Sequence, residues 1–263
     1  MSRRLLVIVA RTGLLLGCVP AATAQEWTWT SLHPAGSAES RVRAVGGGRQ
    51  AGYTREFAGA PGHAALWSGS ASSWIDVHPK GAAFSHIFGS DGTQHVGEAY
   101  FDINPSAVMW SERRWTNLNP PGMVASRAWG VAGGQQVGFS RLAPEVEHAG
   151  FWTGSASSWT DLHPSGAFRS TAYATTGTQQ AGYVDVKPGV THAALWSGTA
   201  QSWVDLHPAG YLGSIAYGAA GAQQVGSATL PSGFSGHAGI WNGSASSWVS
   251  LHPLGAVTSH ASA

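Results

Sequence analysis

The tripeptide Leu-His-Pro, or a close variant, is written six times along the chain, centred on His33, His78, Asn119, His163, His207 and His252. Successive centres lie 45, 41, 44, 44 and 45 residues apart. Self-similarity at one period restricts the fold to architectures made by stacking copies of one supersecondary unit. Other elements recur between these anchors. A stretch of small residues (Ser170 to Ala174, Ser214 to Gly218) leads to a Gln-x-x-Gly type element ending at Gly52, Gly97, Gly138, Gly182 and Gly226. A His-Ala-x-x-Trp element follows, ending at Trp67, Trp110, Trp152, Trp196 and Trp241, and then a Ser-Trp-x-Asp-Leu-His-Pro element with Trp74, Trp115, Trp159, Trp203 and Trp248.

Each unit resolves into four short β-type segments, a to d. Glycine-rich steps such as Thr176-Gly177-Thr178 and Asp91-Gly92-Thr93 separate a from b, as tight hairpins require. No segment carries a 3.6-residue apolar period, so helices are not expected. The c–d register follows from arithmetic. If Trp196 opposes Trp203, then His192 opposes His207, and the same rule pairs His63 with His78 and His148 with His163. In unit two the c–d loop (111–114) is two residues shorter, yet the pairing of Trp110 with Trp115 survives, so the residues were lost from a turn. Both histidines also vanish together from unit two, where Ser106 and Asn119 stand. That coupling places the two side chains in contact.

Along strand d, Trp203, Asp205 and His207 share one face, and Val204 and Leu206 the other; strand c alternates in the same way. Both faces are largely apolar, so each small sheet must be covered on both sides. The predicted fold is all-β, a five-bladed β-propeller of four-stranded antiparallel blades, with a β-solenoid or sandwich as the alternative. The repeats span 37–79, 80–120, 121–164, 165–208 and 209–253 within one domain, 25–263. An extra d-type strand (29–34) precedes them and the start of an a strand (255–263) follows. Joined, these make half a blade.

These elements resemble the extracellular HAF-type repeats of bacteria. The resemblance rests on His-Ala-x-x-Trp, the Gln-x-x-Gly step and the Leu-His-Pro-x-Gly link, and covers about 26–263. The chain departs from that pattern in using Ala or Gly where HAF repeats have Phe (His192-Ala193-Ala194), and Leu-His-Pro in place of a Leu-Gly turn. The resemblance implies a repeat fold and export; it implies no activity.

Residues 1–24 read as an export signal: Arg3-Arg4, an apolar stretch from Leu5 to Val19, and Ala22-Thr23-Ala24 as the cleavage site. Ser2-Arg3-Arg4-Leu5-Leu6 is a degenerate twin-arginine pattern. A competing reading makes Leu15-Leu16-Gly17-Cys18 a lipobox with Cys18 as a lipid anchor. Cleavage after Ala24 leaves 11 basic and 13 acidic residues, a net charge of −2. No other apolar run reaches the ~20 residues of a spanning helix, so an extracellular or periplasmic protein without a transmembrane segment is expected.

The whole chain holds 14 Lys and Arg against 13 Asp and Glu with no basic run, which leaves no nucleic-acid footprint. One Cys excludes a disulfide framework and any Cys-x-x-Cys metal knuckle. Gly46-Gly47-Gly48 precedes no helix and so makes no phosphate cradle; no cofactor is expected. Four units carry the pair of histidines and three of them an acid beside it (Asp76, Asp161, Asp205; Ser250 in unit five), a set that could hold a metal or form an acid–base pair. Small residues opposite the acids (Ala65, Gly150, Ala194) instead make room for a structural Asp–His hydrogen bond buried beside Trp, so no metal site is assigned. The Trp columns are expected to be core, and Trp27 and Trp129, outside the register, surface residues.

What varies is the b–c loops, 54–62, 99–105, 140–147, 184–191 and 228–236, which collect the charges the strands avoid. They emerge on one face with the Leu-His-Pro links, and variable polar loops on a rigid frame are where binding resides. The candidate binding residues are Arg55, Glu56, Asp102, Arg141, Glu145, Glu147, Asp185 and Lys187; no catalytic residue is assigned. The expected function is a non-catalytic module binding a glycan, a surface polymer or a protein. The alternatives are a structural envelope scaffold without a small ligand, or an enzyme with a site at the tunnel mouth. An enzyme requires a titratable cluster peculiar to one blade, for which Glu145-Val146-Glu147-His148 is the candidate.

Overall fold

A computed structural model describes residues 28–142, 146–232 and 236–262. The chain divides into two units, 1–30 and 31–263, and all the strands belong to the second. The export signal, Cys18, Trp27 and Glu145 lie outside the described residues.

The repeat period is a blade. Blade 1 comprises β1 (Glu39–Gly46), β2 (Arg49–Arg55), β3 (His63–Trp67) and β4 (Ile75–Asp76). Blade 2 comprises β5 (Ser85–Ser90), β6 (Gln94–Tyr100), β7 (Pro105–Ser111) and β8 (Arg114–Asn117). Blade 3 comprises β9 (Ala125–Ala132), β10 (Gln135–Arg141), β11 (Glu147–Trp152) and β12 (Thr160–Asp161). Blade 4 comprises β13 (Arg169–Thr175), β14 (Gln180–Lys187), β15 (Val190–Trp196) and β16 (Val204–Asp205). Blade 5 comprises β17 (Gly213–Ala220), β18 (Gln223–Thr229), β19 (Gly236–Trp241) and β20 (Val249–Ser250). Every sheet is an antiparallel meander in chain order. One axial cavity is lined by residues of all five first strands, so the blades stand around a common axis. The fold is the five-bladed propeller of four-stranded blades.

The c–d register is the one the arithmetic gives. Ala194 pairs with Asp205 and Ala65 with Asp76, and Trp110 faces Trp115. The four histidine pairs stack with ring centroids 3.8–4.1 Å apart. The c–d turns do contain something the apolar pattern does not signal, a single 3₁₀ turn at Ala71–Ser73, Ala156–Ser158, Ala200–Ser202 and Ala245–Ser247. A glutamine from the b strand holds each such turn: Gln50, Gln136, Gln180 and Gln224 accept from the N–H of Gly69, Gly154, Gly198 and Gly243. Blade 2 lacks the 3₁₀ turn, and His95 replaces the glutamine there, bonding Ser90 instead. Its tighter turn is closed by Glu112 at φ +55°.

Cohesion between blades comes from the third strand. Trp110 packs with Ala51, Ala64, Leu66 and Val77 of the preceding blade. Trp152 packs with Val96, Met109 and Leu118, Trp196 with Val137 and Leu162, and Trp241 with Ala181, Leu195 and Leu206. These indoles are fully buried, so this column is core, as expected. The second column differs: Trp74 and Trp115 are each 38% exposed, because strand d is the outer edge of its sheet. The inner strands approach backbone to backbone, which explains the small residues there. A Cβ at Gly89 would lie 2.6 Å from the carbonyl oxygen of Trp129, and one at Gly130 2.6 Å from that of Tyr173.

Mutual shielding stops at the first and last blades. Val42 is 44% exposed where its counterparts Ile87, Ala128, Ala172 and Ala216 are buried. Leu251 is 52% exposed where Leu118, Leu162 and Leu206 are buried. The expected flanking strands are absent, since 28–34 and 256–262 form none. Ser259 nonetheless bonds Gly236 and Ala238 of blade 5 as the first strand of a further blade would.

Trp110 Nε1 donates to the Val77 carbonyl at 2.8 Å, whereas the buried Trp196 Nε1 has no partner. Trp110→Phe orphans a carbonyl and Trp196→Phe removes an orphan donor, so the first is expected to cost about 1–3 kcal/mol more in urea unfolding. Equal losses would contradict this assignment.

Candidate functional site

The Leu-His-Pro links build a lock between blades. His78 Nε2 lies 3.0 Å from the Ala82 carbonyl, which only accepts, so that nitrogen carries the proton. Nδ1 then accepts from Ser85 Oγ at 2.8 Å. Ser85, on the first strand of the next blade, in turn accepts from the Ala64 N–H at 2.9 Å. Ser170 and Ser214 repeat this arrangement with His163 and His207. Blade 2 makes the same two bonds with an amide. There Asn119 donates to the Met123 carbonyl and accepts from Ser126, as a neutral imidazole does.

The partner histidine faces the acid. Nδ1 of His63, His148 and His192 donates to Asp76, Asp161 and Asp205 at 2.8–3.0 Å. The other carboxylate oxygen of each acid accepts from the backbone of His78, His163 or His207. The Asp–His bond is therefore real, but it is not buried: the three acids are 40–48% exposed at the sheet edge. Among the described residues no group of three or more His, Cys, Asp or Glu is placed to hold a metal.

Beside this lock lies a cleft on the loop face. In blade 1 it encloses about 400 Å³, with Trp74, His63 and Asp76 on one wall and Thr54, Glu56 and Phe57 on the other. Blade 3 has the counterpart, about 340 Å³, between Trp159, His148 and Asp161 and the side chains of Ser140, Leu142 and Val146. In two other blades an aromatic side chain meets the corresponding tryptophan. Phe101 stacks on Trp115 at 5.3 Å in blade 2, although Trp115 stays 38% exposed. In blade 5 Tyr211 meets Trp248 edge-on and accepts from its Nε1. The blade 1 cleft is thus lined by an indole, an imidazole and a hydroxyl, from Trp74, His63 and Thr54.

Of the residues expected to bind, Glu56 lines a cleft. Arg55 pairs with Glu39 at 3.2 Å. Asp102 caps its own loop through the Asn104 N–H, and Arg141 reaches Asn104 of the neighbouring blade. Glu147 sits opposite Arg141 in the β10–β11 ladder, and Lys187 is exposed at the end of β14. Asp185 is a correction. It is a buried strand residue held by Arg169 at 2.6 Å and by Thr191, because the expected loop 184–191 is a tight hairpin turning at Pro188-Gly189.

Two further features escape sequence reasoning. Buried Glu98 accepts from Arg127 of blade 3 at 2.6 Å and from His86 at 3.4 Å, and Arg127 also donates to Tyr100. This is a titratable group peculiar to one blade junction, but the carboxylate is consumed by its ion pairs. Trp129, expected at the surface, lines the axial cavity.

No protein-family model matches the chain, and a search of curated proteins gives no match. Solved structures share the fold. TolB from Acinetobacter baumannii aligns over 80% of this chain and 53% of its own, with TM-score 0.55 and 14% identity. A puromycin hydrolase S511A mutant aligns over 80% of this chain and 37% of its own, with TM-score 0.58 and 14% identity. A structure from an analysis of two prolyl endopeptidases aligns over 81% and 36%, with TM-score 0.56 and 10% identity. The chain thus spans about half the length of the first of these and about a third of the others.

The lock gives a pH dependence. Burial, aided by the adjacent His63, holds His78 below the usual 6.5, against the pull of the Ala82 carbonyl and Asp76. Burial does the same for His163, with His148 adding to it, and for His207, with His192 adding to it. The unfolded chain takes these protons first, so stability is full above pH 6.5 and declines as pH falls toward the lower folded-state values. The triple variant H78N/H163N/H207N is expected to flatten this decline in urea midpoints measured between neutral pH and about pH 5. An unchanged slope would contradict the lock.

Proposed function

We propose that the protein is an exported, non-catalytic binding module of the HAF-repeat kind, which holds a hydroxyl-rich ligand such as a glycan or surface polymer on its loop face. One observation supports this reading: a cleft of common design, walled by Trp, His and Asp, stands open in blades 1 and 3, whereas Phe101 stacks on the corresponding tryptophan in blade 2 and Tyr211 meets it edge-on in blade 5. A cleft needed only for packing would be filled in every copy. An indole face bordered by hydrogen-bonding groups suits a sugar ring, apolar on its faces and polar at its rim. Two such clefts on one frame suit a polymer, where linked weak contacts add by effective concentration. Glu56 in blade 1 against Leu142 in blade 3 makes the two clefts unequal, so they read different parts of one ligand.

Export is supported by the pattern at 1–24, and among the described residues no helix is long and apolar enough to cross a membrane. The enzymes among the structural neighbours share the propeller with this chain at 10–15% identity, which carries the fold alone.

A glycan array probed with the protein tests this reading. Saturable binding is expected, weakened at least tenfold (about 1.4 kcal/mol) in W74A/W159A. An unresponsive array, or binding untouched by that double variant, would refute it.

A further inference from the structure

We propose that the axial channel is a separate binding site, for a small carboxylate carried on a flat aromatic body. The channel owes its lining to a defect repeated in every blade. The ladder between first and second strands slips by one residue at the same place five times: between Val42 and Ala44, Ile87 and Gly89, Ala128 and Gly130, Ala172 and Ala174, and Ala216 and Gly218. A bulge of this kind leaves one residue without a ladder partner and re-aims its side chain. The residues so released are Arg43, Phe88, Trp129, Tyr173 and Tyr217, and all five line the cavity on the axis.

Four are aromatic and form a continuous row. Phe88 and Trp129 lie 4.6 Å apart, Trp129 and Tyr173 5.7 Å, and Tyr173 and Tyr217 5.6 Å. The fifth is a cation, with the Arg43 guanidinium 5.7 Å from the centre of the Phe88 ring. Among the described residues, ion pairs engage Arg41, Arg55, Arg127 and Arg169 but not Arg43. No Asp or Glu among the described residues lines the cavity, so its charge is uncompensated and positive.

One observation separates a site from a plug. A space of about 290 Å³ remains inside the ring of side chains, near the lower end of the ~300–1,000 Å³ of small-molecule sites. Aromatic surfaces and an unpaired guanidinium together select a flat ring bearing an anionic oxygen pair, which arginine meets with two parallel hydrogen bonds.

Calorimetric titration of the whole protein with phenylacetate, its neutral isostere phenylacetamide, and acetate tests this site apart from the loop-face clefts. Phenylacetate is expected to bind saturably at one site, at least tenfold tighter than phenylacetamide, with no saturation by acetate. Arg43→Met is expected to erase the difference between the first two, and Trp129→Leu to weaken both at least tenfold. Arg43 is exposed, so the urea midpoint of Arg43→Met should match the parent and its result stands whether or not Trp129→Leu folds. Absence of saturable phenylacetate binding at millimolar concentration, or an Arg43→Met protein that keeps the preference for the anion, would overturn the proposal.

Discussion

A sheet that is apolar on both faces cannot stand in water alone, and everything in this fold follows from how each blade is covered by the next. The third-strand tryptophan does most of that covering. It is the largest side chain of the repeat and in blades 2 to 5 inserts into the preceding blade, so these copies depend on a neighbour for a core they lack by themselves. The link histidine adds direction to this non-directional burial. By bonding a serine that also takes a backbone N–H from the other blade, it fixes how far one sheet is displaced along the next. Exposure of Val42 and Leu251 shows the same rule by exception, since these are the faces that no other blade covers as fully.

Because the frame is set by residues that repeat, the residues that do not repeat are free to differ in chemistry. They do so in two places. On the loop face, one position at the end of the second strand reads Glu56, Phe101, Leu142, Val186 and Leu230 around the ring; Glu56 and Leu142 line clefts there, and Phe101 stacks on Trp115. On the axis, one position reads Arg43, Phe88, Trp129, Tyr173 and Tyr217. Conservation of backbone with variation of side chain at fixed sites is how a rigid scaffold hosts recognition.

Much of this frame is legible in the repeat alone. Strand count, hairpin pairing and the contact of His63 with His78 follow from period-two alternation and from the shortened turn of unit two, because antiparallel register is additive. The bulges are not legible there. An extra residue in a first strand changes no spacing between units, so Trp129 reads as a residue out of register when it is a residue turned to the axis. Asp185 misleads for a related reason: charge marks a loop only where no partner is at hand, and Arg169, in the adjoining strand, supplies one. The junction of Glu98 with Arg127 spans two blades and 29 residues, a distance over which sequence pattern carries no pairing information. The half-exposure of Trp74 and Trp115 comes from strand d being outermost, a property of sheet order and not of the residues themselves.

The division of labour between the two tryptophan columns can be measured residue by residue through hydroxyl-radical footprinting read by mass spectrometry. Trp67, Trp110, Trp152, Trp196 and Trp241 should stay protected in the folded protein while Trp74 and Trp115 are oxidised readily. Oxidation of the first group at rates matching the second would mean that the blades do not shield one another, and would contradict cohesion through the third strand.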